Sequence, residues 1–335
     1  MQQSEIRLRD LLEAERESPV IQAVTPDAST RDYFRISWRG RSSIACVYPS
    51  EFASAEHSFL DTTSLFLAAG LPVAEIYHVD EERGIIIQED FGSIDLRTYL
   101  QNKSEAESTK HIKRAITLIP QIQRATALAF ERNSVASRLS FDVEKLSSEL
   151  VFFKEHYFHS LTKSPIPSHL EPDFDKELSD IVSDLAGRAD ELAHRDFHAA
   201  NIMVAADDSL KIIDHQDARL GSQAYDLVSL LLDRVVQAPE PTRLAELIGF
   251  YLEKRAEAGL AMPTPAEFQE VFQIQTIQRC LKAVGTFSFQ SAFRGKTQYL
   301  QFISPMLKIV IDTTSQLNRY PIVRTVIERS LQTST

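Results

Sequence analysis

One segment limits what this chain can become: His194-Arg195-Asp196-Phe197-His198-Ala199-Ala200-Asn201, followed by Ile212-Ile213-Asp214. Asp196 and Asn201 lie five residues apart on a predicted loop, and Asp214 lies thirteen beyond Asn201. Residues 202–205 and 210–214 have strand character and are joined by Ala206-Asp207-Asp208-Ser209, a turn signal. The hairpin this predicts sets Asn201 beside Asp214. Two oxygen donors then face one point, which suits a hard cation such as Mg²⁺. Asp196 stands next to that point, where a carboxylate accepts a proton from an incoming hydroxyl. Each residue alone reads as a turn or strand end; the three together, in this order, read as a site. His194 and His198 are spaced as in a zinc motif, but the intervening Glu is missing and the segment is loop rather than helix.

The surrounding texture is two-part. Residues 4–16 place Leu8, Leu11 and Leu12 on one helical face. The runs 33–38 and 42–48 around Arg39-Gly40-Arg41 predict a hairpin. A helix over 54–69 closes at Gly70 before Pro72, and strands follow at 73–79 and 84–88. Residues 1–90 therefore read as a small lobe with an antiparallel sheet and a helix, and 91–335 as a larger, mainly helical lobe. In the latter, helices are predicted over 141–159 (Asp142 as N-cap), along a stripe from Leu178 to Leu192, and over 227–237, 242–258, 266–288 and 297–331. The fold class is α+β.

Composition removes other classes. Thirty-six Lys and Arg against 47 Asp and Glu give a net charge of −11, which argues against sequence-independent binding to nucleic acid or anionic membrane. Cys46 and Cys280 are the two cysteines, so neither a disulfide framework nor a Cys-rich zinc site is expected, and a reducing cytoplasm fits. No apolar run is long enough to span a bilayer, and the N-terminus lacks a secretory apolar region.

The segment HRDFHAANIMV with KIIDHQDARLGSQAYDLVSLL resembles the catalytic loop of the aminoglycoside phosphotransferase-like kinases, which have the protein-kinase-like bilobal fold. More narrowly, the chain is similar to the bacterial kinases that phosphorylate the anomeric hydroxyl of N-acetylmuramate and N-acetylglucosamine. Residues 27–35, 68–73, 89–92, 149–157 and 278–285 carry the same resemblance, which runs from about residue 20 to residue 305. It implies an ATP- and Mg²⁺-dependent transferase giving a sugar 1-phosphate and ADP, with carbohydrate metabolism or cell-wall recycling as the setting; the sequence does not fix the oligomeric state, for which a monomer is the default expectation. It implies Asp196 as catalytic base and Asn201 and Asp214 as magnesium ligands. Glu89 to Phe91 match the hinge that meets adenine, Ser29, Thr30 and Arg31 the phosphate loop, and Glu56 loosely the acidic residue of the first-lobe helix. A choline, ethanolamine or aminoglycoside acceptor on the same fold is the alternative, and a nucleotide-binding scaffold without transfer is a third reading.

The chain departs from the protein kinases in one respect. It has no Lys before Lys103, its first glycine is Gly40, and Cys46-Val47-Tyr48 occupy the strand that carries the kinase lysine. Positive charge for the nucleotide must come from Arg31, with Arg35 either assisting or lying on the strand surface. Asp226 is expected to cap its helix and hold the catalytic loop. His194 and Arg195 are read as loop anchors. His198, Asp217 and Glu155 are candidates for contact with sugar hydroxyls, with packing or loop closure as the other reading. Arg279 and Lys282 are expected on a solvated helix face, or against an acidic substituent of the acceptor.

Overall fold

In the computed structural model the described residues are 3–24, 31–234 and 239–333. The change from sheet to helix falls near residue 90. By packing, the chain groups into two compact units, Met1–Lys103 with Ala200–Asp217, and Ser104–Ala199 with Ala218–Thr335.

The first unit is built on an antiparallel sheet of β1 (Ile21–Val24), β2 (Asp32–Trp38), β3 (Arg41–Val47), β4 (Ile76–Asp80) and β5 (Ile85–Glu89), in the order β1-β2-β3-β5-β4. β1 is an addition to the four strands read from sequence; its four residues are half-buried or exposed and leave no apolar alternation to read. Arg39 and Gly40, both at positive φ, close the β2–β3 turn. Alternation along the strands separates two faces. Phe34, Ile36, Trp38, Ala45, Val47, Ile85 and Ile87 pack on Leu8, Leu11 and Leu12 of the helix Gln3–Ala14. Cys46 and Ile86 pack on Phe59 of the helix Ser58–Ala68, which is shorter than predicted because Ser54–Glu56 forms a separate 3₁₀ turn. The hairpin of Ile202–Val204 and Leu210–Ile212 belongs to this unit. Ile212 N–H donates to Pro72 O at 2.8 Å and Val204 N–H to Ile94 O at 2.9 Å, so both hairpin strands are anchored through the backbone.

The second unit is helical around Pro265–Arg294. Thr264 and Glu267 form a capping box at its start, and Gly295 ends it in the left-handed conformation. Midway, Gly285 admits the backbone of Phe153; a Cβ there would lie 2.6 Å from Phe153 Cα. Phe153 belongs to the helix Val143–Lys154, N-capped by Asp142 as the sequence indicates, which runs into a π-helical turn over Glu155–Leu161. Two predicted helices are corrected. The stripe ending at Leu192 stops at Ala186, and Glu191–Ala193 is a strand paired with Arg219–Gly221. The long stretch 297–331 is two helices, Leu300–Leu317 and Pro321–Thr333, parted where Asn318 and Tyr320 take positive φ. No described helix is long and apolar enough to cross a membrane.

Candidate active site

The loop after Glu191–Ala193 is held from behind. Asp226, fully buried near the start of the helix Tyr225–Leu232, accepts the backbone N–H of His194 at 2.7 Å and of Arg195 at 3.1 Å. Arg195 takes φ 85°, a conformation costly for a side-chain-bearing residue, and these two bonds fix it. Asp226 therefore anchors the loop, as its sequence position suggested.

Asp196 leaves that loop into a cluster of charges. Arg279 Nη2 donates to Asp196 Oδ1 at 3.1 Å and to Asp233 Oδ2 at 2.7 Å, while Arg279 Nε donates to Ser229 Oγ at 2.8 Å. Lys282 Nζ reaches the same Asp196 oxygen at 3.3 Å. The Arg279 side chain is 1% exposed, and that of Asp196 keeps 24%. This corrects the solvated-face reading of both cations. A signal was present: from Val271 to Ser291 they are the only charged residues, which is not the composition of a wet face.

The electrostatics follow from the packing. Burial acts to raise the Asp196 carboxyl, but Lys282, Arg279 and Arg195 together hold it well below the usual carboxylate range. Asp233 is likewise lowered against its burial, first by Arg279 and then by His198 and Arg234. Lys282 is lowered, by burial and by the Arg279 charge, against the pull of Asp196. Burial, with Arg234 beside it, pushes His198 down to about 3, so the ring is neutral. His198 is 5% exposed and sits within this cluster.

Glu155 does not join it. That side chain is exposed and borders a shallow surface depression with Lys154, His159, Glu171 and Asp175. The acidic residue the same helix buries is Glu149, which accepts from Gln278 Nε2 at 2.9 Å and pairs with Lys145 at 3.3 Å. In the sequence, Glu149 and Ser229 stand only within segments that carry the resemblance, with no role of their own, and Asp233 is not singled out, because Gln278 and Arg279, which they meet, lie on a distant helix.

In the first unit, Asn201 ends a 3₁₀ turn, Ala199–Asn201, and Asp214 follows the second hairpin strand at φ 64°. Ile213 N–H donates to Asn201 O at 3.1 Å, and Asn201 Nδ2 lies 3.4 Å from Asp214 Oδ2. The hairpin thus brings together the two residues that the sequence pairs. One carboxylate and one amide are a donor set that fits Mg²⁺, which takes one or two protein oxygens and fills its shell with phosphate oxygens and water. Among the described residues there is no three-ligand cluster of His, Cys, Asp or Glu.

His215, next to Asp214, fixes this end of the hairpin. Its ring lies 5.2 Å from that of Phe59 and 5.3 Å from that of Phe66, and Nε2 is 2.7 Å from Thr63 Oγ1. Thr63 gives its hydroxyl proton to Phe59 O at 2.6 Å, so the His215 nitrogen is the donor.

The cation beside Asp214 is Arg31, with Nη2 3.6 Å from Oδ1. Its guanidinium lies over Tyr48 at 5.6 Å and Tyr33 at 5.7 Å. Arg35 forks onto Asp90 at 2.7 and 3.1 Å and also donates to Gly92 O, so it braces the segment that follows β5. Glu89 ends β5, its N–H donating to Glu75 O, and Phe91 is buried beneath Lys211, 5.2 Å from its ring. Asp217 is half-buried in the turn after the hairpin. Ser29 and Thr30 lie outside the described residues, and Glu56 lies in the 3₁₀ turn rather than the helix.

The chain belongs to the APH phosphotransferase enzyme family, whose pattern matches residues 20–263. It is a phosphoryl-transfer enzyme with an alcohol group as acceptor. Among its relatives is the N-acetylmuramate/N-acetylglucosamine kinase of Neisseria meningitidis, 27% identical over 302 residues, covering 89% of this chain and 87% of that protein. The Pseudomonas aeruginosa protein of the same name is 27% identical over 278 residues, covering 82% and 78%. The choline kinase LicA of Streptococcus pneumoniae shares the fold, with TM-score 0.59 at 12% identity, covering 93% of this chain and all of that one.

Proposed function

We propose that this protein is an ATP- and Mg²⁺-dependent kinase that phosphorylates the anomeric hydroxyl of an N-acetylhexosamine or hexose, N-acetylmuramate and N-acetylglucosamine foremost. The observation that carries the reading is similarity over nearly the whole chain to two kinases named for those sugars. The choline kinase shares only the fold, so its acceptor carries no comparable weight.

In this reading the chain's own residues act as follows. Asp196 orients the acceptor hydroxyl and takes its proton as the oxygen forms its bond to phosphorus and the bond to the ADP leaving group breaks. A neighbourhood of cations keeps Asp196 ionised and ready for that role. Asn201 and Asp214 would hold Mg²⁺, which when bound supplies charge neutralisation for the nucleotide phosphates. Arg31 adds a guanidinium on the Asp214 side, in place of the strand lysine of protein kinases. Glu89 to Phe91 would meet the adenine through their backbone, and Ser29 and Thr30 would offer hydroxyls to the phosphates. His198 and Asp217 are the remaining candidates for shaping the acceptor site.

The test is ADP release from Mg-ATP with N-acetylmuramate, N-acetylglucosamine, N-acetylgalactosamine, glucose, choline and an aminoglycoside. The expected result is release with an N-acetylhexosamine and a product whose phosphorus couples to H1. Release with choline or the aminoglycoside alone would discard the sugar reading while keeping the chemistry.

A further inference from the structure

We propose that Lys282 is a specificity-determining residue of the acceptor site: its ammonium receives a carboxylate carried by the sugar, so the favoured acceptors are acidic N-acetylhexosamines. The inference rests on the reading of Asp196 as the base of a sugar kinase and deepens it by naming the substrate class and the residue that selects it.

Placement carries the argument. Lys282 Nζ lies 3.3 Å from Asp196 Oδ1. An acceptor hydroxyl meets a carboxylate oxygen at about 2.7 Å. Lys282 Nζ therefore stands within about 8 Å of the hydroxyl being phosphorylated, whichever Asp196 oxygen faces it, and a substituent on the same pyranose ring reaches it. The Lys282 side chain keeps 15% exposure beside the 24% of Asp196, so neither is sealed from an incoming molecule. Arg279 differs. Its side chain is 1% exposed and tied to Asp196, Asp233 and Ser229, which closes it to a ligand.

The ammonium has capacity to spare. It carries three N–H donors. Among the described residues its hydrogen-bond acceptor is Asp196 Oδ1, and 3.3 Å is long for a contact between charged groups, which usually measures about 2.7–2.9 Å. Glu149, the other acid acting on it, already takes Gln278 Nε2 at 2.9 Å and Lys145 at 3.3 Å. Burial and the Arg279 charge hold Lys282 below the ordinary lysine value, so the two acids do not compensate its charge in full. A further carboxylate does.

An acidic acceptor also needs such a cation. It must bring its carboxylate close to an ionised base, and two negative charges so placed repel. An ammonium between them turns that repulsion into attraction on both sides. A cationic acceptor such as choline would meet the same ammonium as repulsion.

The experiment is steady-state kinetics with Mg-ATP and three acceptors: N-acetylmuramate, its methyl ester and N-acetylglucosamine. The ester keeps the shape and removes the charge. The parent, Lys282→Met and Lys282→Arg are compared, each checked for a cooperative melt. Expected is a preference for the acid over the ester of about tenfold or more in kcat/KM for the parent, falling to within about threefold of parity in Lys282→Met. Lys282→Arg should keep at least about a third of the preference, since it keeps the charge. Any effect of Lys282 on Asp196 acts on all three acceptors alike and cancels in the ratio. A merely structural role would lower the melting temperature and leave the ratio intact. Parity in the parent, or an undiminished preference in folded Lys282→Met, would overturn the proposal. An undiminished preference with the Mg-ATP KM raised about tenfold would place Lys282 on the nucleotide instead. If Lys282→Met does not fold, Lys282→Gln decides by the same ratio. Transfer to the ester and N-acetylglucosamine upholds the sugar kinase where the proposal fails. Transfer to none of the three sugars would remove the reading on which it rests, and the proposal with it.

Discussion

Arg31 and Asp214, 183 residues apart in the chain, come within 3.6 Å, guanidinium against carboxylate. In the proposed reading, the cation that a protein kinase carries on its third strand would come from Arg31, just before β2, while the strand position holds Cys46, Val47 and Tyr48. Tyr48 and Tyr33 support the guanidinium by their ring faces, and Tyr48 accepts from Arg31 Nη1 at 3.5 Å through its hydroxyl.

Arg31→Ala should raise KM for Mg-ATP by about tenfold or more and leave the acceptor KM nearly unchanged, since the proposed role of the lost group is to meet the phosphates. Arg35→Ala is the control. Its fork is spent on Asp90, so it should lower the melting temperature by a few degrees with little change in nucleotide KM. Equal effects of the two on KM would count against the assignment of Arg31.

Thr63→Val leaves the His215 N–H without its acceptor in a buried setting. The cost is about 1–3 kcal/mol, readable by urea denaturation. Because His215 adjoins Asp214, the Mg²⁺ concentration for half-maximal activity should also rise. A stable variant with unchanged Mg²⁺ dependence would separate His215 from the metal-side carboxylate.

Gly285→Ala sets a methyl 2.6 Å from Phe153 Cα and 3.0 Å from its N, backbone atoms that cannot swing aside. The two helices must part, at about 1–3 kcal/mol. Thermal unfolding checks this, and an unshifted midpoint would show that the contact relaxes without cost.

The pH profile follows from the direction of the Asp196 shift. Burial raises that carboxyl, but Lys282, Arg279 and Arg195 outweigh it and the net position is well below ordinary. Its pairing therefore adds stability that is present above the unfolded value, about 3.9, and is lost as pH falls through the lower folded value. For catalysis, the base stays ionised through mildly acidic pH, so kcat/KM should show no acidic limb from Asp196 above about pH 4. Lys282→Met removes the largest lowering charge, so an acidic limb should appear at higher pH. A profile identical to the parent's would mean that Lys282 does not act on the base.

What could be read from the sequence was what is local. Asp142 caps its helix, Gly70 ends another at φ 74°, and the turn at 206–209 places Asn201 against Asp214; each depends on residues a few positions apart. What escaped depends on distant partners. Arg279 and Lys282 have helical spacing whichever way their face points, and only the packing of that helix against residues 83 and 86 positions earlier decides it. Glu191–Ala193 continues an apolar stripe by spacing and becomes a strand through pairing with Arg219–Gly221. The strand position of Arg35 fits a phosphate contact and a surface place alike, and its fork onto Asp90, 55 residues on, is not legible from spacing.

The central claim is that Asp196 is the base of a phosphoryl transfer, and Asp196→Asn tests it most directly. Single-turnover transfer from Mg-ATP to the sugar acceptor should fall by about 10²–10⁴-fold, while Mg-nucleotide affinity by titration stays within about twofold of the parent. Transfer at the parental rate, in a folded variant that binds nucleotide normally, would contradict the account.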